Sequence, residues 1–243
     1  MKRQLPAFYG KTKLTRKSSL VEDKDDFSNV KECLQMLKSL FPIAKFDNKL
    51  PPIIMKHQIY TLMKNRTEVD KELDSLLNEG EIRIFKLGRS NDELAIVFMK
   101  DYEDHLNRLC KNNEIIVRFL NKVIKEYPDI SYGRKTLIKY GFKEEDISEL
   151  VQNGVLIIRD AGCWWLDIPG SGEFIKSHTS GRKAILRSIR QTKYKEILQS
   201  ELEQRKLPKA AKLGMEYHIY DIIGADMVKC IDTTSGKLLR LER

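Results

Sequence analysis

Apolar residues at Phe27, Val30, Leu34, Leu37 and Leu40 fall three or four apart, which predicts a helix over 26–40 with one apolar face. Pro51 and Pro52 open a second helix over 53–63. Thr67, with Asp70 three residues on, offers an N-cap for a third over 68–78, where Val69, Leu73, Leu76 and Leu77 face inward. Gly80 can take the left-handed conformation that closes such a helix. Two β-like runs follow, 81–87 and 93–100, joined at Gly88, Arg89, Ser90, Asn91 and Asp92. Three helices and then a hairpin is the winged-helix plan.

The pattern recurs. Helices are expected over 114–127, 135–140 and 143–152, with strands over 155–159 and 163–168. Gly154 follows Gly80 by 74 residues at the same helix-to-strand junction. A weaker third copy places Asp226 at that junction, 72 residues after Gly154, with strands over 227–232 and 237–241. Between copies two and three, a mostly helical stretch over 173–205 is expected to break near Ser180 and Gly181, and again near Gln191. The fold class expected is mainly α with small β-wings (α+β), as three tandem winged-helix modules. Residues 1–25 form a disordered basic arm and 26–100 the first module. Residues 101–170 hold a linking helix and the second module, and 171–243 a basic helical segment and the third.

Charge sharpens this picture. The 243-residue chain is 41% hydrophobic and 33% charged, which suits folded modules with a strongly ionic surface. Its net charge of +9 favours polyanions. That charge is segregated: residues 176–212 hold eleven Lys/Arg against three Glu, and residues 1–20 hold six with no acid. The candidate nucleic-acid contacts are therefore Lys176, Arg182, Lys183, Arg187, Arg190, Lys193, Lys195, Arg205 and Lys206. Lys183, Arg187 and Arg190 share one helix face, where like charges repel unless a polyanion offsets them. A winged helix usually reads the major groove with its third helix. Here that helix carries Glu68, Asp70, Glu72 and Asp74 in the first module, and Glu144, Glu145, Asp146 and Glu149 in the second. These two are read as protein-docking units, with Glu68, Asp70, Glu72, Glu144 and Glu145 as candidate contacts. DNA contact is assigned to 176–206 and the third module, where Tyr217, His218 and Tyr220 are weaker candidates. Of Trp164 and Trp165, adjacent on one strand, one should be core and the other exposed.

No run approaches the ~20 apolar residues of a membrane span. The cysteines (Cys33, Cys110, Cys163, Cys230) form no CxxC pair, so no zinc or other cofactor is expected. No P-loop, kinase glycine loop, nucleophile elbow or HExxH motif is found, so the chain reads as non-enzymatic.

The runs LPPII (50–54), GEIRI (80–84), RDAGCWWL (159–166), PGSGEFIK (169–176) and TTSGKLLRL (233–241) occur in order along the chain. On these, residues 30–243 resemble the family called serine/threonine-protein kinase nineteen. The resemblance implies a misnamed kinase: a tandem winged-helix nuclear protein binding double-stranded DNA and RNA. It would act in transcription-coupled nucleotide excision repair, between factors at the stalled RNA polymerase II and the repair helicase complex. It also implies DNA contacts at Lys176, Arg190 and Arg205. The family's N-terminal basic cluster is thinner here (Lys11, Lys13, Arg16, Lys17), which weakens it as a nuclear import signal. Whether the chain forms a homodimer is left open.

Overall fold

A computed structural model describes residues 27–87, 93–109 and 113–242. The basic arm, the first hairpin turn and Cys110 lie outside them. One topology occurs three times: helix, short strand, two helices, hairpin. The first copy is α1 (Val30–Ser39), β1 (Ile54–Met55), α2 (Lys56–Leu62), α3 (Arg66–Asn78), β2 (Ile82–Lys86) and β3 (Leu94–Phe98). A linking helix α4 (Met99–Leu109) leads to α5 (Glu114–Phe119), which continues as a wider π turn over Leu120–Ile124. The second copy goes on with β4 (Ser131–Gly133), α6 (Arg134–Lys139), α7 (Glu144–Gln152), β5 (Leu156–Asp160) and β6 (Cys163–Leu166). The third is α8 (Ser171–Arg190), β7 (Glu196–Leu198), α9 (Gln199–Glu203), α10 (Met215–Gly224), β8 (Val228–Thr233) and β9 (Gly236–Leu241).

Each copy closes an antiparallel three-stranded sheet of the same order: β1-β3-β2, β4-β6-β5, β7-β9-β8. The first strand of each is only two or three residues long. Such strands give no period-2 pattern to read, and the sequence predicts none of them. The chain is thus mainly helical with small wings, as three winged-helix modules in tandem.

The repeated junction has one physical cause. Gly80, Gly154 and Asp226 all have positive φ (74°, 72° and 54°). At each, the residue's N–H bonds back three residues (to Leu77, Val151 and Ile223) and the next N–H bonds back five (to Leu76, Leu150 and Ile222). This is the left-handed cap that satisfies the last helix carbonyls and turns the chain into a wing.

Four local expectations are corrected. The cap of α3 is Asn65, whose side chain accepts from Glu68 N–H at 3.3 Å. Thr67 therefore lies within the helix, and Asp70 accepts from Tyr60 and Lys56 instead. The mostly helical stretch over 173–205 does end a helix at Gln191, the C-cap of α8, but β7 then intervenes before α9, and α8 is the first helix of the third module. The helix α8 does not break at Gly181. A Cβ there would lie 2.0 Å from His218 Nε2, so glycine is present for close packing. Trp164 and Trp165 are both half-buried: Trp164 packs on the main core, and Trp165 lies between Lys86 and Arg159.

The modules share their interiors. One apolar cluster runs from Phe85 and Tyr102 through Phe119 and Tyr132 to Phe174 and Tyr217, so all three modules contribute to it. The first and third modules also meet directly, α2 against α10. Gln58 Nε2 donates to the Tyr217 carbonyl, Thr61 Oγ1 to the Tyr220 carbonyl, and Tyr217 OH to the Ile53 carbonyl, each at 2.9 Å. A Cβ on Gly224 would lie 1.9 Å from the His57 carbonyl oxygen, so only glycine permits this approach.

Asp221 is the polar centre of that contact and is fully buried. Its Oδ1 accepts from His57 Nε2 (2.7 Å), His178 Nε2 (2.8 Å) and Arg182 Nη2 (2.6 Å), and its Oδ2 from Arg182 Nε (2.7 Å). Burial alone would raise this carboxyl. The electrostatic influence of His178, with hydrogen bonds from Arg182, His178 and His57, outweighs burial and holds it well below the carboxylate range. His218 stacks on His178 with both ring nitrogens buried and without a hydrogen-bond partner among the described residues. Burial, then repulsion from His178, pushes its pKa down to about 4.

Asp221→Asn should cost about 3–5 kcal/mol, because it leaves Arg182 buried with only Glu93 (3.4 Å) as counter-charge. Arg182→Met in the same chain should recover part of that loss, read by urea denaturation. Acid should weaken the fold through His218. Between pH 6.5 and about 4 the unfolded imidazole takes up a proton that the folded one refuses, so stability falls as pH falls. The loss is on the order of 2–4 kcal/mol. Asp167, raised to about 6 chiefly by burial, titrates in the opposite sense over the same window. His218→Leu should remove the first component and keep the second, so lowering the pH from 7 to 4.5 should raise the denaturation midpoint of the variant, whereas in the parent the two components largely cancel.

Candidate nucleic-acid interface

The 20-residue α8 has two unlike faces. Phe174, Ser177, His178, Gly181, Ile185 and Ile189 are buried. Lys176, Lys183, Arg187 and Arg190 are exposed. Their spacings of seven, four and three keep all four on one stripe along the helix. At 1.5 Å per residue the stripe is about 21 Å long, the rise of roughly six base pairs. None of the four forms an ion pair among the described residues, whereas Arg182 on the inward side of the same helix does. Arg187 and Arg190 lie in the last turn, where the helix dipole favours cations. That offsets part of the repulsion at one end only.

The other basic candidates divide. Lys193 and Lys195 are exposed in the turn that follows α8, and Lys193 Nζ sits 5.1 Å from the centre of the Tyr194 ring. Arg205 pairs with Glu201 at 3.0 Å and donates to Ser188 Oγ at 2.5 Å. Ser188 is about 100° round the helix from Arg187, so Arg205 flanks the stripe rather than extending it. Lys206 is exposed beyond α9. Arg182 is corrected: it turns inward to Asp221 and is unavailable to a phosphate. Composition could not separate it from its neighbour Lys183, because only the position of Asp221, 39 residues away, decides which of the two is drawn in.

The third helices do not offer a groove reader. The helix α10 is packed against α2, and Tyr217 and His218 are fully buried, so the expectation that these two reach a groove or a partner is corrected, while the Tyr220 side chain is half-buried. The acidic candidates on α3 and α7 are partly committed to the fold. Glu72 accepts from Val30 N–H at 2.9 Å and so caps α1, Asp70 is bound by Tyr60 and Lys56, and Glu144 pairs with Arg134 at 2.5 Å. Glu68 and Glu145 remain exposed. Sequence reading missed the exposed apolar pair Ile157 and Ile158 on the sheet-edge strand β5, and the exposed Tyr194.

One buried cluster has metal-ligand chemistry among the described residues: His178, His218 and Asp221, whose ligand atoms lie within 4.8 Å of one another. Arg182 already engages both oxygens of that carboxylate, so the cluster is filled by its own cation and serves as an ion-paired core.

The sequence model of a family described as "Inactive serine-threonine protein kinase 19" matches residues 25–241. "Winged helix repair factor 1" of Homo sapiens is 39% identical over 244 residues, covering 98% of this chain and 96% of the relative. The protein of the same name from Mus musculus is 42% identical, covering 88% of this chain and 85% of its own length. A more distant relative, "Serine/threonine-protein kinase mug51" of Schizosaccharomyces pombe, is 26% identical and covers 79% of this chain. The family is described as inactive, and this chain is accordingly no kinase. By its winged-helix repeats and by a match along nearly its whole described length, the chain belongs to the inactive serine-threonine protein kinase 19 family.

Proposed function

We propose that this chain is a non-catalytic nuclear scaffold of DNA repair that binds nucleic acid along the exposed face of α8. The observation that carries the reading is the stripe of Lys176, Lys183, Arg187 and Arg190, four cations without counter-charges on a rigid helix. Lys193 and Lys195 extend it past the helix end, and Arg205 and Lys206 flank it. Such a surface contacts phosphates and reads little sequence, because α10 is packed against α2 and the exposed third helices α3 and α7 are acidic. The repair role is supported by the names of the relatives, several of which are called winged helix repair factor. It is specified here as transcription-coupled nucleotide excision repair, with stalled RNA polymerase II, its repair factors and the repair helicase complex as partners. Double-stranded DNA is the ligand, with RNA as a second polyanion.

A docking role for the second module has its own support. Ile157 and Ile158 are 48% and 67% exposed on the edge strand β5, where an unpaired backbone can take up a strand from a partner. Exposed Glu145 at the start of α7 adds negative charge to the same module. This second module would hold the protein partners while α8 holds DNA.

Fluorescence anisotropy with a labelled 20-base-pair duplex tests the first reading. About four phosphate contacts should give a log–log salt slope near −3.6. The Lys176→Glu, Lys183→Glu and Arg190→Glu triple variant should bind at least about 100-fold more weakly, with the melting temperature nearly unchanged since all three side chains are exposed. Arg205 is left alone in this test because it ties α9 to α8. Unchanged binding would reject the interface. In cells depleted of the endogenous protein, the same variant should fail to restore transcription after ultraviolet damage. Calorimetric titration with ATP should show no binding heat.

A further inference from the structure

Tyr194 is 68% exposed, more than any other large apolar side chain among the described residues. It stands in the five-residue turn between α8 and β7, four residues beyond Arg190 and so just past the end of the basic stripe. The turn is well tied. Thr192 Oγ1 donates to the Ile189 carbonyl at 2.7 Å, Lys195 N–H bonds to the Thr192 carbonyl at 3.2 Å, and the Lys195 carbonyl accepts from Leu241 N–H at 3.1 Å. The ring is therefore displayed from a fixed support, and holding it for a ligand costs little chain entropy.

Two further features mark the turn. Lys195 has φ of 56°, the left-handed conformation that a lysine seldom takes, and strain of that kind persists where the surrounding structure enforces it. That conformation lets the chain reverse directly after the tyrosine, leaving the ring at the crest. Lys193 and Lys195 flank it, both exposed and neither ion-paired among the described residues. Glu196, the nearest acid along the chain, is held by Arg240 at 2.7 Å. Lys193 Nζ lies over the Tyr194 ring at 5.1 Å, so an exposed aromatic with a cation already against it, at the end of a phosphate-binding stripe, matches an unpaired nucleotide: the lysines meet its phosphates and the ring takes its base. A closed duplex offers no such base.

We propose that Tyr194 stacks on an unpaired base, so that this protein prefers nucleic acid with a single-stranded segment or an opened junction over a closed duplex. The inference rests on the α8 reading and adds the structure of the ligand to it. Anisotropy titrations would compare a blunt duplex, the same duplex with a central unpaired bubble, and a single strand of equal length. Tyr194→Ala should weaken the bubble and the single strand by about 5- to 150-fold, the range for losing one base–aromatic stack. It should change blunt-duplex binding by less than about 2-fold. Tyr194→Phe should keep the preference, because the stack needs the ring and not the hydroxyl. A 2-aminopurine in the bubble should lose fluorescence on binding the unmodified chain and keep it with Tyr194→Ala. Equal effects of Tyr194→Ala on all three ligands, or no effect on any, would overturn the stacking proposal while leaving the stripe intact. A stripe variant that still binds every ligand would overturn the α8 reading and this inference with it.

Discussion

A single buried carboxylate sets how this chain can be arranged. Asp221 lies on the third helix of the last module and is bound by groups from α2 of the first module and from α8. A charge in that position is tolerable only with every lone pair engaged and a counter-ion in contact. Arg182 supplies the counter-ion, and His57 and His178 must each present Nε2–H to complete the shell. The requirement fixes the rotation of α8 about its own axis. With Arg182 and His178 turned inward, Lys176, Lys183, Arg187 and Arg190 are turned outward. The buried cluster and the exposed stripe are two consequences of one helix orientation.

The same contact explains why the three copies do different work. In each, a left-handed residue ends the third helix and starts the wing, so the architecture repeats. The helix itself does not. In the first two modules it is acidic and partly exposed, with Glu72 and Asp70 employed in tying α3 to α1 and α2. In the third it is apolar and buried, and Gly224 and Gly181 mark the places where a neighbour comes too close for a side chain. Module docking has used the helix that most winged helices keep for the groove, and the positive charge stands on the first helix instead. Arg83 shows what such packing tolerates: it is 98% buried at the junction of the first two modules, and its Nε and Nη1 have no hydrogen-bond partner among the described residues. Burial lowers its pKa, against the opposing influence of Tyr132 and Tyr102.

Much of this was legible in the chain. Helix periodicity located α1, α3, α7 and the wings to within a few residues, because those elements bury one face and leave the other wet. The repeat was legible because Gly80 and Gly154 are demanded by backbone conformation, and Asp226 is a residue type that tolerates it. The excess of Lys and Arg over 176–206 drew attention to α8. Tertiary facts were not legible. Lys183 and Arg182 differ only in what lies opposite them in space. Gly181 looked like a helix break because a missing Cβ signals flexibility in sequence and close packing in the fold. Tyr194 carried no local pattern at all, being one aromatic among lysines whose exposure depends on how the turn is held.

The His57–Asp221 contact joins residues 164 positions apart, and it bears on how the molecule is made. A chain emerging from the ribosome completes its first module long before α10 exists. Until α10 is made, His57, Gln58 and Thr61 lack the partners it supplies. Non-local pairing of this kind forms late because the intervening chain must first be ordered. The amino-terminal module is therefore sealed only after α10 has been made and has docked on α2.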